Sequence, residues 1–394
     1  MLIYNITVCA INYILLFHIC QVMINNISVA GIVAEYNPFH SGHEYHIGET
    51  KKRCGAVVAV MSGNFVQRCE PAVCDKTARA KMAVAGGADL VIGLPVRYAL
   101  GSAEKFAYGA VSLLSSLGFV DVISFGSECG DIGKLREAAA RIDAITPDDY
   151  RQAMKKGRTF AGARSDLSGL GQSGPNDILA TEYIRALKRL GSDIEPFAVK
   201  RTDSYLESAS DNRERIMNGD LSSLPASTSD ILRREMSCGR APGNIQNIER
   251  ILLGFIRNAD PSDFRDIYGV NEKEGFEGRI LSSVPASSLE ELYSMIKTKR
   301  YTMATVKRAV ISAYLRIKNR PLCPVPYVHV LAFSETGREM IKQIPENVTV
   351  VSNLSKIKDV FPDFADEERR ATDLFFLSTP EIGPGFSEYT RKFE

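Results

Sequence analysis

Residues 29–46 read Val29-Ala-Gly-Ile-Val-Ala-Glu-Tyr-Asn-Pro-Phe-His-Ser-Gly-His-Glu-Tyr-His46, and the fold follows from that stretch. Val29 to Ala34 is an unbroken run of small and β-branched apolar residues, the composition of a strand covered on both faces. Pro38 and Gly42 interrupt it, and His43 to Arg53 has helical composition. A buried strand that turns directly into a helix is the first half of a parallel βα unit.

The alternation continues outward from this unit. Strands are expected at Ala56–Met61, Asp89–Gly93 and Val120–Phe125, with helices at Asp75–Ala85 and Ser102–Leu117. The second helix carries Phe106, Ala110, Leu113, Leu114 and Leu117 on one face. Such a series predicts an α/β doubly wound parallel sheet, whose ligands sit beyond the carboxyl ends of the strands. Residues 131–235 read as mainly helical, apart from the Gly-rich run 169–175 and a strand candidate at Glu195–Val199. A mainly helical region follows to Arg320. After the Pro-rich break 321–326, a strand at Val328–Phe333 opens a small C-terminal α/β part. The expected domains are 29–240 and 241–394, preceded by an apolar extension, 1–28.

Within that extension, Leu2 to Met23 is apolar apart from Asn5, Asn12, His18 and Gln21. It has no Lys or Arg and no small-residue cleavage site, so it is a poor signal peptide; it is about long enough to span a bilayer, but the four polar residues and the missing flanking positive charges weaken a membrane-anchor reading. The expectation is that Met1 to Val22 comes from a misassigned start and that the working chain begins near Met23. Eight scattered cysteines without a C-x-x-C pair read as reduced, mostly buried thiols of a cytoplasmic protein.

In 394 residues, 45% apolar and 24% charged side chains exclude disorder and a disulfide-stapled miniprotein. The net charge of +1 conceals an uneven distribution: residues 1–150 sum to −2, 151–320 to +7 and 321–394 to −4. No acid falls between Glu291 and Glu335, where Lys297, Lys299, Arg300, Lys307, Arg308, Arg316, Lys318 and Arg320 lie. A polyanion could bind there, although a solvated helix face has the same composition.

Three of the five histidines, His40, His43 and His46, fall within seven residues. No Cys or further His at a suitable spacing completes a zinc site, so no metal ligands are assigned. A turn that opens a helix after the first strand is an anion site, because the first N–H groups of the helix are free. Imidazoles at H-x-G-H spacing can donate hydrogen bonds to phosphate oxygens as charge builds on an α-phosphorus.

The H-x-G-H turn resembles the signature of the nucleotidyltransferase superfamily. Gly31 to His43, Met61-Ser-Gly-Asn-Phe-Val-Gln-Arg68, Ala88 to Pro95, Ser102 to Ala107, Ser124-Phe-Gly-Ser-Glu128, Gly174 to Leu179, Lys200-Arg201 and Val330 to Gly337 together resemble the bacterial tRNA(Met) cytidine acetate ligase family. The resemblance implies that 29–240 is an ATP-binding catalytic domain and 241–394 a basic tRNA-binding region. It implies an enzyme that activates acetate as acetyl-adenylate and acetylates the wobble cytidine of elongator tRNA(Met), with ATP as substrate and Mg²⁺ entering with it.

By the same resemblance, His40 and His43 are catalytic. ATP would contact Val33, Ala34, Glu35, Tyr36, Asn37, Pro38, Phe39, His40, Ser41, Gly42, His43, Glu44, Tyr45 and His46, together with Gly126, Asn176 and Arg201. Ser62, Asn64, Gln67 and Arg68, just after the second strand, are candidates for the acetate pocket. The cations from Lys297 to Arg320 are candidates for tRNA, with Tyr301 and Tyr314 available to stack on unpaired bases.

Two departures stand against the family pattern. Cys69 replaces the usual Gly after the Gln-Arg pair, and Leu232 stands where superfamily members carry an Arg, with Arg233 one residue later. Two other readings stay open on sequence: a small-molecule adenylyltransferase for a pantetheine phosphate or nicotinate mononucleotide, and an RNA-binding module without turnover.

Overall fold

A computed structural model describes residues 27–155, 160–169, 174–201, 209–270, 275–298 and 301–390. The apolar extension up to residue 26, and the expectation about its start codon, lie outside these residues, as do Lys299 and Arg300.

Seven strands form one sheet: β1 Val29–Ala34, β2 Ala56–Ser62, β3 Leu90–Leu94, β4 Val122–Ser127, β5 Glu195–Lys200, β6 Tyr327–Phe333 and β7 Thr349–Val351. Their spatial order is β5-β4-β1-β2-β3-β6-β7. The first five are mutually parallel, while β6 runs antiparallel to β3. The doubly wound sheet is therefore present as expected. The C-terminal α/β part adds β6 and β7 to the edge of that same sheet, and the three-residue β7 had no signal long enough to read.

Helices cover both faces. The Ala103–Ser116 and Pro175–Leu190 helices lie in the core cluster of one face, around Leu113, Phe125 and Tyr183. The Ser41–Lys51, Lys76–Ala85 and Ala226–Ser237 helices contribute to the other, around Phe39, Met61, Met82 and Leu232. Gly31 is required by the first of these packings, since a Cβ there would sit 2.6 Å from the Leu114 side chain. The helix presses directly onto the β1 backbone.

Residues 245–317 build a second apolar core around Leu252, Phe264, Leu292 and Val310. Phe65 and Cys69, from the loop after β2, are inserted into it. The loop thus belongs to both parts of the chain. A buried ionic cluster also joins distant segments: Lys76 Nζ lies 3.2 Å from Glu368 and 2.7 Å from Glu388, and Arg97 pairs with Glu367 at 2.7 Å.

Cysteine burial differs from expectation. Cys54, Cys69 and Cys74 are buried, but Cys129, Cys238 and Cys323 are exposed. The exposed three stand outside the regular elements, where composition gives no burial signal. No helix among the described residues is long and apolar enough to cross a membrane.

Candidate active site

The strand order reverses at β1, which has β2 on one side and β4 on the other. The β1–β2 ladder runs to Ala34–Met61, whereas the β1–β4 ladder stops at Ile32–Ser124. The two strands separate beyond that point, and the resulting crevice at their carboxyl ends is where ligands of such sheets bind.

The histidine turn fills the mouth of this crevice. His40 is the N-cap of the Ser41–Lys51 helix. Its Nδ1 accepts the Gly42 N–H at 3.1 Å, and the His40 N–H donates to His43 Nδ1 at 3.2 Å. This is a capping box in which two imidazoles replace the usual Ser and Glu. The rings stack with centroids 3.7 Å apart. Both Nδ1 atoms act as acceptors, so a neutral ring carries its proton on Nε2 and presents a donor there. A Cβ on Gly42 would come within 3.0 Å of the His40 ring, so glycine allows that ring to fold back over the helix start.

Burial keeps these rings neutral. It lowers His40 to about 4, with the Arg201 and Arg213 charges acting in the same direction. Burial also holds His43 well below the ordinary value, helped by His40, His46 and Arg201. Neutral N–H donors beside two guanidiniums suit a phosphate chain that brings its own negative charge.

His46 serves a different purpose. Thr50 Oγ1 donates to the His46 carbonyl at 2.8 Å, so it accepts from Ser124 Oγ at 2.7 Å. Ser124 in turn accepts from His46 Nε2 at 3.0 Å. The direction of every bond is fixed, and the imidazole is spent on tying the helix to β4.

The remaining residues of the turn divide by depth. Tyr36, Asn37, Pro38 and Phe39 are buried and support the turn from beneath, with Tyr36 edge-on to His43 at 4.8 Å. Val33, Ala34, Glu35, Ser41 and Tyr45 are half-buried, and Glu44 is exposed. Asn37 Oδ1 accepts the Val73 N–H at 2.6 Å, and Glu35 Oε1 accepts the Gln67 N–H at 2.7 Å. Burial raises the Glu35 carboxyl, against the Gln67 N–H and the charges of Arg213, Arg68 and Arg79.

On the β4 side, Gly126 lies opposite Val199 of β5. A Cβ at Gly126 would point to the Arg201 stem at 3.7 Å, narrowing the space above the strand end. Asn176 is oriented by Glu128, whose Oε1 accepts its side-chain amide at 2.6 Å. Asp177 accepts the Ser127 hydroxyl at 2.5 Å and the Glu128 N–H at 3.0 Å, closing the turn after β4. Neither carboxylate had been singled out from sequence, because each acts on backbone and side-chain donors nearly fifty residues away.

The four acetate-pocket candidates separate. Asn64 is buried and committed to the Lys76 N–H and the Thr372 hydroxyl, at 2.8 and 3.1 Å. Ser62 is fully buried, and its hydroxyl has no partner among the described residues. Gln67 is half-buried and Arg68 exposed, at the rim beside Glu35.

The two family departures also find their places. Cys69 has φ 62, the left-handed conformation that glycine adopts freely. Leu232 is fully buried, while Arg233 is turned outward to Asp230 at 2.9 Å. Arg233 therefore does not reach the turn. Arg213 does, donating to the Asn37 carbonyl at 3.2 Å. Nothing nearby in sequence links Arg213 to the histidines.

Of the tRNA candidates, Lys307 pairs with Glu70 at 2.6 Å and Arg320 with Asp363 at 2.8 Å. Arg308 donates to the Leu100 carbonyl at 2.6 Å, and Lys318 to the Arg265 carbonyl at 2.8 Å. Lys297 and Arg316 are exposed. The tyrosines do not offer free rings: Tyr301 is 8% exposed and packs on Phe276 at 4.1 Å, and Tyr314 meets Phe255 edge-on. Apolar burial outweighs the stacking role for Tyr301, while Tyr314 is half-buried with its ring against Phe255.

A parallel sheet with a histidine-capped helix at its switch point defines a nucleotidyltransferase. A family model described as HIGH Nucleotidyl Transferase matches residues 27–385. The chain is 38% identical to the tRNA(Met) cytidine acetate ligase of Thermoanaerobacter sp. (strain X514) over 387 residues, covering 89% of this chain and 95% of the relative. It is 32% identical to that of Clostridium perfringens (strain ATCC 13124) over 400 residues, with 90% and 96% covered. Thermotoga maritima TmcAL bound with alpha-thio ATP matches with a TM-score of 0.83 at 31% identity, covering 92% of this chain and 98% of that one. The chain belongs to the tRNA(Met) cytidine acetate ligase family.

Proposed function

We propose that the protein is an ATP-dependent ligase that joins acetate to the wobble cytidine of elongator tRNA(Met). In the first step an acetate oxygen attacks the α-phosphorus of ATP. The bond to the bridging oxygen breaks, and pyrophosphate leaves with acetyl-adenylate formed. In the second step the N4 amine of cytidine attacks the acetyl carbon, AMP leaves, and the amine loses a proton to give N4-acetylcytidine.

The observation that carries this reading is the reciprocal cap of His40 and His43, which fixes two neutral Nε2–H donors at the helix opening. Charge accumulates on phosphate oxygens during adenylation, and no protein nucleophile is needed. Arg201 and Arg213 add cations whose influence reaches the turn. Among the described residues, no group of three or more His, Cys, Asp and Glu side chains could hold a metal ion. Mg²⁺ would enter with ATP, held on its phosphate oxygens and water.

The loop after β2 supports delivery of RNA to this site. Gln67 touches Glu35, and Glu70 pairs with Lys307 of the basic Met303–Leu315 helix, so that helix adjoins the rim. A tRNA substrate places the working protein in the cytoplasm.

The test is incubation with ATP and labelled acetate, with and without tRNA(Met). Acetate-dependent pyrophosphate release and label on cytidine are expected. Release that requires a mononucleotide instead would identify a small-molecule adenylyltransferase, and binding of tRNA without any turnover would leave an RNA-binding module.

A further inference from the structure

Arg79 is fully buried, yet among the described residues no hydrogen bond of its guanidinium goes to a carboxylate. Its Nε donates to the Cys74 carbonyl at 2.9 Å, one terminal nitrogen to the Glu35 carbonyl at 2.6 Å, and the other to the Ser62 carbonyl at 3.1 Å and to the Gly63 carbonyl. These four carbonyls belong to three separate segments. Glu35 follows the last residue of β1, Ser62 ends β2 and Gly63 follows it, and Cys74 immediately precedes the Asp75 cap of the Lys76–Ala85 helix.

We propose that Arg79 is a positioning residue for adenylyl transfer, holding the carboxyl ends of β1 and β2 at a fixed separation. The inference rests on the adenylation reading above for its kinetic readout and on the sheet geometry alone for its structural one.

The argument starts from what each strand end carries. Five residues after Glu35 comes His40, and four residues after Gly63 come Gln67 and Arg68. One strand end therefore sets the imidazole donors, and the other sets the opposite rim. Two further bonds cross the same seam, from the Gln67 N–H to Glu35 and from the Val73 N–H to Asn37, and both depend on the strand ends being in register. The β1–β2 ladder itself ends at Ala34–Met61, so beyond it Arg79 replaces the missing backbone pairing.

A guanidinium suits this task because its donors are arranged in a rigid plane. An ammonium is a point donor and cannot span three segments. Burying a cation among neutral carbonyls is costly, and burial indeed lowers the Arg79 pKa, with Cys74, Asp75 and Glu35 opposing. A merely adhesive contact at this place could be apolar and avoid that cost. Displacement of reacting groups by about 1 Å can slow a reaction about 100-fold.

The test compares wild type with Arg79→Lys, and with Arg79→Gln, which has no charge to bury, each assayed well below its melting temperature. The expected result is a fall in kcat of acetate-dependent pyrophosphate release of at least about tenfold, with KM for ATP within about threefold. Hydrogen exchange should rise in peptides covering residues 33–44 and 61–75, while the Ala103–Ser116 helix on the other face of the sheet stays as protected as in wild type. Unchanged kcat with only a lower melting temperature would overturn the proposal, as would a uniform rise in exchange. Failure of both variants to fold would also count against it, because a residue acting only on two strand ends is not required for the whole fold. If wild type itself releases no pyrophosphate with acetate, the ligase reading has failed, and the exchange pattern alone decides the role of Arg79.

Discussion

His40 fixes the tautomer of His43: its backbone N–H donates to His43 Nδ1 at 3.2 Å, while its own Nδ1 accepts from Gly42 at 3.1 Å and the two rings stack at 3.7 Å. The same atoms cap the helix and prepare its donors. Capping and catalysis can nevertheless be separated, because Asn is among the preferred N-caps but has no donor at the Nε2 position. His40→Asn should retain a melting temperature within a few degrees of wild type and lose about 10²–10³ in acetate-dependent pyrophosphate release. Activity within a few-fold of wild type would remove His40 from the chemistry.

His46 gives a prediction about stability and pH. Burial lowers it to about 4 from an ordinary value near 6.5. Above pH 6.5 the ring is neutral in folded and unfolded chains, and its bond to Ser124 contributes in full. Between pH 6.5 and 4 the unfolded chain takes up a proton that the folded one refuses, so this contribution falls as pH falls. His46→Asn has no such group. Urea midpoints at pH 7.5, 6 and 5 should show wild type losing its advantage over the variant on acidification, and a constant gap would contradict the assignment.

What the sequence made legible follows from locality. The strand and helix of the first βα unit, and the anion-binding turn between them, are written in contiguous residues from Val29 to Arg53. So are the later strands up to β6, each within a residue or two at its ends, whereas the three-residue β7 is not. Arg213, Arg79, Glu128 and Asp177 were not legible as site residues, because each acts through backbone groups brought close only by folding. Tyr301 departs from expectation for the opposite reason: its interleaving with cations is local, but its burial is decided by Phe276.

Cys69 tests the cost of a left-handed residue. A non-glycine residue there is strained by roughly 1–2 kcal/mol, and the thiol that replaces glycine is buried against the helical core. These effects oppose one another, so Cys69→Gly should change stability by no more than about 1 kcal/mol, whereas Cys69→Val should cost at least about 2 kcal/mol, since β-branched residues tolerate positive φ poorly. Thermal melts of the two variants give the comparison. Burial also raises the thiol to about 11, so Cys69 should resist iodoacetamide in native protein while exposed Cys238 and Cys323 react.

Lys76 lies between Glu368 and Glu388 with all three side chains almost fully buried. Removing one partner of such a cluster leaves carboxylates without compensation, which typically costs about 3–5 kcal/mol. Lys76→Met should therefore lower the urea midpoint strongly, and adding Glu388→Gln to it should restore part of the loss. A double variant no better than the single one would show that charge is not the source of the cost.

The basic helical region can be divided by which of its cations are already engaged. Arg320 is paired with Asp363 at 2.8 Å, and Lys318 is held by the Arg265 carbonyl. Lys297 and Arg316 have no carboxylate within ion-pair distance among the described residues, and both are exposed. A phosphate can be neutralised by a free cation without breaking an existing bond, and each such contact adds about 0.7–0.9 to the slope of log K against log salt. Lys297→Gln and Arg316→Asn, the second chosen because Asn tolerates the positive φ at that position, should each weaken tRNA(Met) binding and flatten the slope by about one contact. Arg320→Gln should leave the slope unchanged, and none of the three should alter pyrophosphate release measured without tRNA. A larger loss for Arg320→Gln than for Lys297→Gln would mean that RNA opens the pair with Asp363 and docks on the opposite end of the stretch.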